Sequence, residues 1–148
     1  MAIKLTYHFR IPVGTVDQEA VLSHLKDVLN SFAAKQDCTK FYIGITNHLA
    51  RRLKEHQKTR PEFTLMCAIY KEEQSHLGDR FHNLESAAIA RFRGGVLNKS
   101  TGRLLRCDNT PGGQQPHNWL YLLVDKRDVA GIPRHSDDPA LWGDELDA

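Results

Sequence analysis

Residues 42–56 read YIGITNHLARRLKEH, a short apolar strand sequence that continues into an amphipathic helix. Leu49, Arg52, Leu53 and His56 recur at i, i+3, i+4 and i+7, so they share one face of that helix. The leucines dock this face on a core. An Arg and a His there need buried partners or line a cavity, because an unpaired buried charge costs several kcal/mol. The stretch therefore predicts a strand and helix that hold a polar site between them.

The composition is that of a globular domain with a single core. The chain has 148 residues, of which 41% are hydrophobic and 26% are charged. Its three cysteines are widely spaced and form no CxxC, which is typical of reduced cytoplasmic thiols rather than of disulfides or a zinc site. No apolar run approaches the roughly 20 residues that cross a membrane, and no signal peptide is recognisable. We expect a cytoplasmic protein with no membrane partner.

The charges are unevenly distributed along the chain. The net charge is +2, but residues 136–148 hold five acids and no Lys or Arg. Without this acidic tail, residues 1–135 form a basic domain, which suggests a polyanionic partner such as nucleic acid. An ordinary solvated basic face explains the charge equally well. A third interpretation is a protein-interaction adaptor whose acidic tail mimics DNA.

Hydrophobic periodicity predicts the order of the elements. Alternation with period two favours strands, and recurrence at helical spacing favours helices. The predicted strands are 3–10, 41–46, 63–70 and 119–124, and the predicted helices are 16–34, 47–58 and 83–93. Within the second strand, the small Gly44 leaves room beside Tyr42 for another group to approach.

A carboxylate lies on the apolar stripe of the helix predicted from residue 83. Glu85, Ala88, Ile89 and Phe92 recur at helical spacing there. Each polar intruder on a stripe could be a satisfied core group, but a Glu on one helix with an Arg and a His on another favours a shared cleft. A carboxylate binds hard cations, a guanidinium neutralises phosphate charge, and a phenol or imidazole takes a proton from water. The set suits phosphodiester cleavage.

Over about residues 40–100 the chain resembles the catalytic domain of the GIY-YIG endonucleases. The matching positions are Tyr42-Ile43-Gly44, Arg52, His56, Glu85 and Asn98. The resemblance implies an α+β fold with a small antiparallel three-stranded sheet flanked by helices. In this chain the sheet would have a helical insertion between strands 1 and 2 and an extra C-terminal strand.

The same resemblance implies a role for each matched residue. Glu85 would bind one catalytic Mg²⁺ or Mn²⁺, and Arg52 would stabilise the pentacovalent phosphate. Tyr42 and His56 would position or activate the attacking water, and Asn98 would brace the site. The implied activity is metal-dependent DNA cleavage. Single-stranded, structured and duplex DNA all remain open as substrates, and a homodimer is possible.

The chain lacks the Gly-Ile-Tyr tripeptide that this family carries on the strand before Tyr-Ile-Gly. We expect the strand at 3–10 to be the family's first strand, with a helix inserted after it and Tyr7 as the missing phenol. Tyr7 could instead be a plain core aromatic, with the catalytic phenol absent. That absence would favour a non-catalytic nucleic-acid-binding module on a degenerate nuclease scaffold.

Overall fold

The computed structural model describes residues 3–11, 18–71, 87–109 and 119–132, and these form an α+β fold. Two helices and part of a third accompany six strands. In chain order the elements are β1 (Lys4–Thr6), α1 (Gln18–Ala33), β2 (Lys40–Thr46), α2 (Leu49–Thr59), β3 (Leu65–Lys71), the described part of α3 (87–92), β4 (Val96–Asn98), β5 (Arg103–Cys107) and β6 (Trp119–Val124).

The six strands form one mixed sheet in the order β1-β3-β6-β2-β5-β4. The central strand β6 is antiparallel to β3 and to β2. β1 pairs in parallel with β3, β5 pairs in parallel with β2, and β4 is antiparallel to β5. The expected three-stranded antiparallel sheet is therefore wrong as a description of the whole sheet, because parallel neighbours extend its three central strands on both sides.

The predicted C-terminal strand is not an addition at the edge of the sheet. All six residues of β6 are buried, and helices cover the sheet on both sides of this strand. A strand buried on both faces has a nearly continuous apolar sequence, and Trp119–Val124 reads WLYLLV. This composition explains why β6, the last of the described strands, lies at the centre.

The helices α1 and α2 cover opposite faces of the sheet, which we call the α1 face and the α2 face. Side chains alternate between the two faces along β2 and β6. The α1 face includes Leu22, Leu25, Leu29, Phe41, Ile43, Ile45, Leu120 and Leu122. The α2 face includes Tyr42, Leu49, Leu53, Met66, Trp119, Tyr121 and Leu123. A residue's strand position therefore decides which helix it meets.

The boundaries predicted for both main helices are confirmed to within two residues by α1 and α2, and the predicted strand at 119–124 is confirmed by β6. The first strand is shorter than expected. It ends at Thr6, and the N–H of Arg10 donates to the carbonyl of Tyr7 at 3.1 Å, so the chain already turns there. None of the described helices is long and apolar enough to cross a membrane. The acidic tail lies outside the described residues.

Candidate active site

A compact N-cap joins β2 to α2 and orients the helix so that Arg52 and His56 face the sheet. The Thr46 hydroxyl accepts a hydrogen bond from the N–H of His48 at 3.1 Å, and Nδ1 of His48 accepts one from the N–H of Arg51 at 3.1 Å. Leu49, in the first turn, is fully buried on the α2 face. The helix must therefore lie close above β2 with one side facing down.

The hydroxyl of Tyr121 lies at the centre of the site. Nε2 of His56 is 2.7 Å from this oxygen, and Nε of Arg52 donates to it at 3.3 Å. Because a guanidinium only donates, the phenol oxygen acts as an acceptor towards Arg52. Its own hydrogen is then available to Nε2 of His56. One phenol thus links the two basic side chains of the helix stripe.

Gly44 makes room for this phenol. It is the residue directly opposite Tyr121 in the pairing of β2 with β6. A Cβ atom added at Gly44 would lie 2.3 Å from both Cζ and Oη of Tyr121. The group for which the sequence leaves space beside Tyr42 is therefore the ring of Tyr121.

His56 is a neutral base in this structure. The residue is only 3% exposed. Burial first, and then the positive charges of Arg52 and Arg60, lower the pKa of His56 to about 4. Among the described residues its Nδ1 atom has no hydrogen-bond partner. The imidazole is thus uncharged at pH 7, and its Nε2 lone pair accepts the hydrogen bond of the Tyr121 hydroxyl.

Tyr42 forms the outer wall of the site. Its ring lies edge-on to that of His56, with centroids 5.3 Å apart, and the guanidinium of Arg60 lies 4.3 Å from the ring centroid. Tyr42 and Arg52 are partly exposed, whereas Tyr121 is fully buried. The first two side chains can therefore reach a bound molecule, and Tyr121 holds the others in place. We call Tyr42, Arg52, His56 and Tyr121 the Tyr121 cluster.

Tyr7 lies in a different part of the α2 face. Its ring packs against that of Trp119, with centroids 5.5 Å apart. Two strands separate β1 from β2, so these strands are roughly 14 Å apart at the usual strand spacing. The phenol that contacts Arg52 and His56 belongs to Tyr121, which the sequence analysis did not single out. The first strand and the Tyr-Ile-Gly strand are thus not neighbours in the sheet.

Asn98 lies on the opposite side of the sheet from the Tyr121 cluster. Its Nδ2 donates to the carbonyl of Asn30 in α1 at 3.1 Å, and its Oδ1 accepts from the N–H groups of Ser100 and Thr101. These bonds fix the turn between β4 and β5 to the end of α1. The described contacts of Asn98 are thus structural and do not reach the cluster.

Glu85, the expected metal ligand, lies outside the described residues. The part of α3 that follows it packs Ala88 and Phe92 into the core of the α1 face. Within the described ranges, no group of three or more His, Cys, Asp or Glu side chains could hold a metal ion. The Tyr121 cluster itself offers phenols, an imidazole and a guanidinium, which Mg²⁺ does not favour. A Mg²⁺ ion here would depend on Glu85 and on substrate oxygens.

The cluster combines a partly exposed positive charge, on Arg52, with a buried neutral imidazole, on His56. Arg52 also donates from Nη1 to the exposed Glu55 at 2.5 Å, so its guanidinium is held at two points. Such a group can bind an anionic oxygen at the solvent side of the cluster. Comparisons with protein families, curated proteins and solved structures found no match to the chain.

Proposed function

We propose that this protein is a divalent-metal-dependent DNA endonuclease of the GIY-YIG type. The observation that supports the proposal is the convergence of Arg52, His56 and Tyr42 around the hydroxyl of Tyr121. Three of these residues match the family pattern by position in the sequence. The fourth supplies a second tyrosine beside Tyr-Ile-Gly, although its strand is the last of the described strands instead of the first.

Each residue of the cluster has a distinct part in the proposed reaction. Arg52 binds the scissile phosphate and neutralises the charge that develops on it. Tyr42, at the solvent side, positions the attacking water, and the neutral His56 holds the Tyr42 ring in place through its edge-on contact. Tyr121 is a positioning residue, because its hydroxyl holds Arg52 and His56 in a fixed relation.

A bound Mg²⁺ or Mn²⁺ would supply Lewis-acid stabilisation of the phosphate oxygens and of the leaving group. Glu85 would hold it, since a single carboxylate together with substrate phosphates is a common way to bind Mg²⁺. The basic stretch from Lys40 to Arg60 would give the DNA strand a positively charged surface to approach. Single-stranded, branched and duplex DNA are all candidate substrates.

A second candidate is a non-catalytic nucleic-acid-binding module. Two observations favour it: Ala88 and Phe92, which share the predicted stripe with Glu85, face the α1 side, and so does Asn98. In this case Arg52 and its basic neighbours would bind phosphates without cleaving them. The two candidates differ in one measurable property, since only the nuclease needs Glu85.

The test is a cleavage assay on matched single-stranded, duplex and branched DNA with Mg²⁺, Mn²⁺ or EDTA. Wild type, Glu85→Ala and Arg52→Ala are compared with Arg51→Ala, which removes the same charge from the exposed side of α2. The nuclease predicts metal-dependent cutting that both Glu85→Ala and Arg52→Ala abolish and Arg51→Ala retains. DNA binding with no cutting by wild type in any metal would favour the second candidate.

A further inference from the structure

Arg60 extends the basic face of α2 by one more turn. Arg52, His56 and Arg60 follow one another at i, i+4 and i+8, so they lie along the same side of the helix. Arg60 is the C-cap residue, and its N–H donates to the carbonyl of His56 at 2.7 Å. The two arginines are thus two turns apart, about 12 Å along the axis, with His56 between them.

The side chain of Arg60 reaches over the Tyr121 cluster and does not simply neutralise the helix end. Its Cζ atom is 4.3 Å from the ring centroid of Tyr42. A cation at a helix C-terminus is favourable by itself, but that effect does not require contact with a tyrosine of the site. The stacked guanidinium keeps its in-plane N–H groups available for a planar or tetrahedral anion.

Those N–H groups face a carboxylate that is weakly held. Nη1 of Arg60 is 3.4 Å from Oδ2 of Asp108, and the two side chains are 25% and 38% exposed. An ion pair of this length and exposure is weak, because solvent screens it. Asp108 follows β5 directly, beside Tyr42, and its N–H donates to the carbonyl of Phe41 at 2.7 Å. The carboxylate is therefore anchored at the rim of the site by its own backbone.

Building on the proposed function, we propose that Arg60 binds a backbone phosphate beside the scissile one and that Asp108 occupies this phosphate position in the free protein. Carboxylate and phosphate present similar oxygens to a guanidinium, so one can replace the other. Arg60 keeps its stacking on Tyr42 and exchanges partners when nucleic acid binds. The exposed pair with Asp108 costs little to break, and a bound strand of nucleic acid adds its other contacts along the basic face of α2 to the one with Arg60.

The test is a double-mutant cycle on binding of a fluorescent oligonucleotide in EDTA, so that cleavage plays no part. Arg60→Ala is expected to weaken binding about fivefold and to reduce the salt slope by about one. Asp108→Asn is expected to tighten binding by about two- to fivefold, which corresponds to loss of a competing exposed ion pair. In the Arg60→Ala background, Asp108→Asn should have almost no effect, because the Asp108 carboxylate then has no guanidinium for which to compete with the phosphate.

A matched control separates this exchange from a general change of charge. Glu19→Gln releases Arg91 from a comparable ion pair but lies on α1, on the other face of the sheet, and should leave the affinity unchanged. An equal effect of Asp108→Asn with and without Arg60 would overturn the proposal, as would unchanged binding by Arg60→Ala. Circular dichroism verifies that each variant is folded. Failure of the nuclease proposal appears separately, as binding that follows this cycle without cleavage in Mg²⁺ or Mn²⁺.

Discussion

The ring of Tyr121 lies across the backbone of Gly44 on the neighbouring strand, so closely that a Cβ atom at Gly44 would be 2.3 Å from Cζ and Oη of the tyrosine. This pairing brings the phenol under α2, which begins three residues after β2 ends. Arg52 and His56 then meet the phenol oxygen from above. The site thus depends on one close contact between two strands that are distant in sequence.

Replacing Gly44 by Ala should therefore disrupt the site and weaken the fold. The added methyl must displace a fully buried ring, and overpacking of this kind costs about 1–3 kcal/mol. Urea unfolding measures the loss of free energy of unfolding. Gly94→Ala serves as the control, since nothing lies within 4 Å of the Cβ it would add. A second Tyr121→Ala substitution should make the cost of Gly44→Ala much smaller, and strictly additive effects would contradict the contact.

Tyr121→Phe and Tyr7→Phe should have different effects on the proposed cleavage. Removal of the Tyr121 hydroxyl leaves the guanidinium of Arg52 held by Glu55 alone and His56 without its partner, while the ring still fills the core. We expect kcat to fall by about tenfold or more with little change in KM, because misplaced catalytic groups are costly. Tyr7→Phe keeps the ring against Trp119 and should retain most of kcat. If kcat fell more in Tyr7→Phe than in Tyr121→Phe, the phenol that matters for cleavage would be that of Tyr7.

Local periodicity predicted most of the elements but not their arrangement in the sheet. The two main helices and β6 have strong apolar patterns and lie where the sequence places them. β4 and β5 were missed because both are short and each exposes a leucine. Leu97 and Leu104 are 54% and 53% exposed, so the usual contrast between apolar and polar positions is weak there. Strand order also depends on long-range pairing, which no local pattern encodes.

The same distinction explains the outcome for the candidate site. Tyr42, Arg52 and His56 come from one strand and the helix that follows it, so their spacing alone predicts that they meet. Tyr121 enters from a strand more than sixty residues later, and its sequence signal is an ordinary apolar strand. Gly44 was the only hint, since a glycine in a buried strand marks a close approach. It showed that a group approaches there without showing which one.

Asn98→Ala should destabilise the protein without a direct effect on cleavage. The change removes three hydrogen bonds of a buried side chain, to Asn30, Ser100 and Thr101, and we expect a loss of about 1–3 kcal/mol. The cleavage rate per folded molecule, measured well below the melting temperature, should match that of wild type. A specific fall in kcat at full folding would instead show that Asn98 supports the site across the sheet.

The neutral, buried His56 should make the fold sensitive to acid. Its pKa is about 4 in the folded protein, below the ordinary value of 6.5 that applies when the chain unfolds. Between these values the unfolded state binds more protons, so stability is full above pH 6.5 and is lost as the pH falls towards 4. The contribution of this residue is on the order of 2 kcal/mol. Urea unfolding at pH 7 and pH 4.5 should show a larger loss of the free energy of unfolding for wild type than for His56→Gln.

The control is the exposed His8, which, changed to Gln, should leave the wild-type pH dependence of stability intact. If His56→Gln lost as much stability as wild type, the imidazole would not be the group that is protonated on unfolding.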